Sequence, residues 1–357
     1  MIMNRDRLYA LDFLKVIATV LIVFHHYQSN TGAVFNGINF YYGRFYFGYL
    51  VEFFFVLSGF FSNKWIERVQ NGLSFREFYI HRAVRLLPIV TISTIVFEVA
   101  DLVFAKVAGT HYPSVTTTLW GTIITSLGMQ AGWMFNNPQI NGAVWYISVL
   151  LLCYAIFFAI VYFSKFLQMD NVKKAASWGF VFMICLGIGI QTYQIELPFM
   201  NNYSARGFYS FFFGVLFAEF LKNIRIDKRI ICLSVASIAI ITAMIVVVTA
   251  WVEEGTAYIM TFIYFPAVIV LFSSERIQKI LHKKWIGTLS EISFDVYIWH
   301  SVFLVVMHIV MIKFNLSINH SYLTMTMFAV LMYIVGTISY YCIEKPINKA
   351  LKKYINA

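Results

Sequence analysis

Charge is what this chain lacks. Of its 357 residues, 12% are Asp, Glu, Lys or Arg, and 60% are hydrophobic. Soluble domains carry about 25% charged residues, and the mean hydropathy of +0.72 points the same way. A soluble fold is therefore excluded. Acid is scarcer than base, 17 Asp and Glu against 27 Lys and Arg, for a net charge of +10. That excess does not mark a nucleic-acid binder, because it sits in short loops between apolar runs and not on one face. Cysteine is scarce as well. Cys153, Cys185, Cys232 and Cys342 all lie within apolar runs and none forms a CxxC. Neither a disulfide framework nor a zinc site is suggested, and the four are expected to be buried apolar thiols. No low-complexity stretch, fused soluble domain or transporter-like internal repeat is visible. No small-residue cleavage site follows the first apolar run, so it reads as a span and not a cleaved signal peptide.

What is present is a series of apolar runs. Length alone would allow about two globular domains, but runs of about 20 apolar residues along the whole chain argue for one polytopic domain over 1–357. Candidate helices cover 8–28, 47–63, 86–105, 118–135, 143–163, 175–193, 206–221, 231–250, 257–273, 286–312 and 321–342. Lys and Arg collect on the cytoplasmic side of membrane proteins. Here they collect at Arg5 and Arg7, in 64–85, 164–174, 222–230 and 274–285, and in the tail after 342. Placing all of these inside leaves an even number of crossings between 106 and 142, where one candidate lies. Segment 118–135, with three glycines and many Ser and Thr, is therefore expected to be re-entrant or interfacial. The expected fold is an all-α membrane helix bundle of ten transmembrane helices with both termini cytoplasmic. The abundant Phe and Tyr are expected on lipid-facing surfaces and in interfacial belts.

Ionisable groups inside spans are costly and point to function. Asp12 and Lys15, three apart, are expected to pair. Glu98, Asp101 and Glu219 lie near span ends. His26, near the outer end of the first span, and Glu52, at similar depth in the second, suggest an imidazole oriented by a carboxylate. An interhelical hydrogen bond is the plainer reading. His300 lies roughly 20 Å into its span at 1.5 Å per residue, either as a packing histidine or as part of a site.

These residues fall in a recognisable order. "LDFLKVIATVLIVFHH" resembles the opening helix of the acyltransferase-3 family of integral membrane O-acyltransferases, with a basic residue at Lys15 and a histidine eleven positions later at His26. The family usually has Arg at the first of these. Lys keeps the charge without Arg's fork. "GYLVEFFFVLSGFF" resembles the second helix, with Glu52 and the Ser58–Gly59 pair. "FYIHRAVRLLP" is similar to the family's basic motif, with Arg82 and Arg85. "WYISVLLLCY" matches more weakly, with Leu150 where a Glu is frequent. "SFDVYIWH", ending in His300, resembles the penultimate helix, and "IEKP" the Glu-x-Pro that often closes the fold.

The resemblance implies transfer of an acyl group, commonly acetyl, from cytoplasmic acyl-CoA to a hydroxyl of a cell-surface or lipid-linked glycan, by a multi-pass protein of the inner (cytoplasmic) membrane. It implies His26 as catalytic base or acyl carrier with Glu52 as its orienter, and Lys15, Arg82 and Arg85 as donor-binding cations. Ser58 and His300 are further candidates. Acyl-CoA is the donor, no metal is implied, and the partners are the lipid bilayer and the glycan acceptor. Oligomeric state is open, a homo-oligomer included. A secondary transporter or flippase would also bury charged residues, but it gives no particular reason for two arginines at a cytoplasmic mouth.

Overall fold

The computed structural model describes residues 7–42, 45–112, 119–133, 140–167, 172–247 and 253–355. Arg5, and residues 118 and 134–135 of the expected re-entrant segment, lie outside them. The described residues form an all-α bundle. In chain order its principal helices are α1 (Tyr9–Thr31), α2 (Leu50–Ser62), α3 (Phe75–Ala108), α4 (Leu119–Ser126), α5 (Trp145–Phe163), α6 (Val172–Thr192), α7 (Asn202–Lys222) and α8 (Lys228–Val247). Then come α9 (Glu253–Ile259, continued through a π turn to Phe272), α10 (Lys284–Lys313) and α11 (Tyr322–Ser339, continued through a π turn to Ile355).

Among the described residues eight helices are long and apolar enough to cross a bilayer, so this is a polytopic membrane protein with lipid as its solvent. The two expected spans outside that set are α2 and α7. Helix α2 has only 13 residues. Helix α7 carries Arg206, Glu219 and Lys222 among its aromatic residues. Both are largely enclosed by other helices, and a helix facing protein need not be apolar all round. Lipid instead meets helices such as α8, only 11% of which is buried.

Close backbone approach joins α2 to α7. A Cβ on Gly59 would come within 1.9 Å of the Phe211 carbonyl oxygen, and one on Gly214 within 2.1 Å of the Val56 carbonyl oxygen. Around this crossing the aromatic residues turn inward. Phe55, Phe60, Phe208, Phe211 and Phe212 are among the largest fully buried side chains. The Phe content thus fills the core as well as meeting lipid. Three of the four thiols go the other way: Cys153 is buried, but Cys185, Cys232 and Cys342 are exposed on the helix surfaces. In lipid an outward thiol carries no desolvation cost beyond that of the core.

Helix α3 departs from expectation at its start. The sequence places a basic loop up to Arg85, yet the helix begins at Phe75, where the Ser74 side chain accepts from the Glu77 amide at 3.1 Å. Its 34 residues span about 51 Å at 1.5 Å per residue, against roughly 30 Å of hydrocarbon. Arg82 and Arg85 therefore sit on a helical extension. Helix α4 has eight residues and ends before Gly128, which has φ +68°. It is about 12 Å long, too short to cross. It packs on α3, where Thr122 Oγ1 donates to Glu98 Oε2 at 2.5 Å.

Candidate active site

Helix α1 carries one line of chemistry. Lys15 and His26 are eleven residues apart, about three turns, so they share a face. At the lower end Lys15 Nζ lies 3.1 Å from Asp12 Oδ1, the pairing expected from their spacing, and 4.8 Å from the Phe61 ring centroid. Arg7 grips the other Asp12 oxygen at 2.5 Å and reaches Glu291 of α10 at 2.7 Å. Partial burial opposes the Arg7 charge, but Asp12 and Glu291 outweigh it and raise its pKa. The charges of Arg85 and Arg7 both act on Lys15. The result is a cationic mouth where α1, α3 and α10 meet.

The two arginines of the α3 motif differ. Arg85 is exposed and forms no ion pair among the described residues. Arg82 is half-buried, with its guanidinium carbon 3.6 Å from the Phe78 ring centroid, 4.7 Å from Tyr154 and 4.8 Å from Trp65. It also donates to the Phe78 carbonyl at 2.5 Å. The two donor-binding candidates are therefore not equivalent: Arg85 faces outward and Arg82 lies among aromatic rings. Nearby, partial burial together with Arg68 and Arg82 pushes the Lys64 ammonium below its usual pKa. Cations that depress one another in this way favour an incoming anion.

A row of hydroxyls leads inward from Arg82. Tyr154 touches both Arg82 and Ser58, and Ser58 shares a 3.2 Å hydrogen bond with Tyr146. The Tyr146 ring lies 5.8 Å from that of Tyr297, which is 5.7 Å from His300. The His300 ring in turn lies 4.9 Å from that of His26. His26 is half-buried and, among the described residues, its ring makes no hydrogen bond. His25, its neighbour, faces elsewhere. Its Nδ1 donates to the Phe40 carbonyl at 3.0 Å, and Tyr41 and Tyr46 box it in at 5.0 and 4.9 Å.

Glu52 is not the partner of His26. Its carboxylate, 1% exposed, takes Arg206 Nε at 2.5 Å and Nη2 at 2.8 Å, and Tyr209 donates to it at 3.1 Å. Arg206 also lies over the Trp145 ring at 4.8 Å. A guanidinium's fork fits a carboxylate better than an imidazole does, so the expected His26–Glu52 pairing gives way to this one. Arg206 is not among the residues that the sequence alone singles out. The signal was there: an Arg near the start of a helix otherwise rich in aromatic residues. The end-of-span acids are also accounted for. Asp101 accepts from the Tyr112 amide at 2.6 Å and from His111, and Glu219 from Asn63 at 3.1 Å and Lys222 at 3.0 Å.

The order of these residues along the chain is that of a known family. The acyltransferase-3 model, described as an acyltransferase domain, matches residues 8–344. The chain belongs to the acyltransferase-3 family. It is a membrane-embedded O-acyltransferase. No curated protein and no solved structure gives a match. The matched range takes in Lys15, Arg82 and Arg85, the hydroxyl row and both facing histidines.

Proposed function

We propose that this acyltransferase takes its acyl group, commonly acetyl, from cytoplasmic acyl-CoA and delivers it to a hydroxyl of a cell-surface or lipid-linked glycan. In this reading the whole chain is one domain of ten spans in the inner (cytoplasmic) membrane, with both termini in the cytoplasm. One observation carries it: a single face of α1 joins the cationic mouth at Lys15 to the half-buried imidazole of His26, about 16 Å further on. Coenzyme A brings phosphates, which Arg85 and Lys15 would hold by charge-assisted bonds while Arg82 frames the mouth. The pantetheine arm would run along Tyr154, Ser58 and Tyr146 and bring the thioester to His26.

At the inner end, transfer to a hydroxyl needs a group that removes its proton or first takes the acyl group. In this reading His26 is that group. Glu52, committed to Arg206, would act as a brace between α2 and α7, holding the walls of the site.

The test is transfer from radiolabelled acyl-CoA into lipid- and glycan-bound ester by membranes holding matched amounts of each variant. His26→Ala should abolish transfer while the protein stays folded and inserted. His25→Ala should keep most activity, because its ring is tied to the Phe40 carbonyl. The reverse outcome would overturn the reading.

A further inference from the structure

His300 is an unusual buried histidine because its protonation pattern is fixed. Its Nδ1 lies 2.6 Å from the Tyr297 carbonyl oxygen. A carbonyl oxygen can only accept, so Nδ1 carries the hydrogen. In the neutral ring, Nε2 is then a bare lone pair. That nitrogen is buried without any hydrogen-bond partner, in a residue that is 0% exposed. An orphaned buried acceptor costs free energy, and at a site it marks a group waiting for a donor. The ring it belongs to faces His26, with centroids 4.9 Å apart and planes tilted by 32°.

The two imidazoles differ in access. His26 is half-buried, free of side-chain hydrogen bonds among the described residues, and on the same face as Lys15. It can meet a thioester arriving from the mouth. His300 is 0% exposed, has its Nδ1 held by the Tyr297 carbonyl, and packs its ring against that of His26. We infer that the two divide the reaction: His26 carries the acyl group and His300 Nε2 takes the acceptor's proton. This rests on the acyl-CoA reading above and assigns the roles within it.

The steps balance. The free nitrogen of neutral His26 attacks the thioester carbonyl, and the carbon–sulfur bond breaks. Coenzyme A leaves as a thiolate and takes the proton that the N-acylimidazolium must shed, giving the free thiol and a neutral acyl-imidazole. The acceptor hydroxyl then attacks the acyl carbon while its proton passes to His300 Nε2. The carbon–nitrogen bond breaks, and the proton moves from His300 to the departing His26 nitrogen. His300 returns to its starting form, and His26 returns to neutral with its hydrogen on the nitrogen that held the acyl group. A proton exchange between its two ring nitrogens restores the starting tautomer, with one ester made and one thiol released.

The division separates two activities that a direct transfer would keep together. Purified full-length protein, without any glycan, should exchange the acyl group between labelled acyl-CoA and free coenzyme A. His26→Asn should abolish this exchange. His300→Asn keeps an amide to donate to the Tyr297 carbonyl but removes Nε2. It should retain exchange within several-fold, yet lose transfer into membrane ester by at least ~100-fold, the scale of a general base. Acyl label should also stay on His26 of the His300→Asn protein and be released by hydroxylamine. Wild-type protein that transfers to membrane ester but shows no exchange would overturn the carrier role. Transfer at the wild-type rate by His300→Asn, or loss of its exchange in folded protein, would overturn the assignment of the base. Wild-type protein with neither exchange nor transfer would instead sink the acyl-CoA reading itself.

Discussion

Glu52, which is buried, and Arg206, which is half-buried, lie 154 residues apart and form a two-pronged ion pair that joins α2 to α7. The guanidinium has a second anchor, the Gly48 carbonyl at 3.0 Å, and the carboxylate a second donor in Tyr209. Removing one partner of such a pair strands the other charge, at about 3–5 kcal/mol. Arg206→Ala and Glu52→Ala should therefore each lower thermal stability strongly in detergent. The double variant Glu52→Gln with Arg206→Gln should recover much of the loss. If Glu52→Gln instead leaves stability unchanged and selectively removes transfer, the brace role is wrong.

Arg82 and Arg85 should separate experimentally. Arg85→Ala is expected to weaken acyl-CoA binding by about 1.5–3 kcal/mol, the loss of one bond to a charged group, with little change in stability. Arg82→Ala removes a cation from three aromatic faces, so it should also lower the melting temperature. Calorimetric titration with acyl-CoA beside a thermal melt reads both. Equal behaviour in both measurements would count against their different roles.

Lys15→Arg should keep activity, since Asp12 lies 3.1 Å away and the longer fork still reaches it. Lys15→Leu should lower acyl-CoA affinity while Arg7 and Ser290 continue to hold Asp12. Unchanged affinity in both would make Lys15 a topology charge only.

The α2–α7 crossing leaves no room for a methyl group. Gly59→Ala and Gly214→Ala each drive a Cβ into a backbone carbonyl, so the helices must part. Overpacking costs about 1–3 kcal/mol, occasionally more. Gly142→Ala, where nothing lies within 4 Å, is the control. Melting curves in detergent should show the first two falling and the third unmoved.

Asp295 and Glu344 touch across α10 and the π turn of α11. Asp295 Oδ2 and Glu344 Oε2 are both buried without a hydrogen-bond partner. Ser339 donates to the other Asp295 oxygen at 2.5 Å. Asp295→Asn supplies the missing donor between the two, so stability should hold or rise. A fall in melting temperature would show that the carboxylate itself is needed, for instance by a bound cation.

The sequence by itself determined the solvent and the chemistry. Scarce charge and recurring apolar runs required a membrane bundle, because unpaired charges are too costly in lipid. The eleven-residue spacing put Lys15 and His26 on one face, because helix period is local geometry. The motif order carried the family. What the tertiary structure decided was pairing. Glu52 could have met His26 or a cation on another helix, and only packing of α2 against α7 at Gly59 and Gly214 brought it to Arg206. The contact of α10 with α1 is what set the His300 ring against that of His26. Arg82 and Arg85 look alike in sequence, and the aromatic rings around one of them come from three separate segments. Contacts between helices depend on which faces meet in three dimensions, and helical period alone does not specify that.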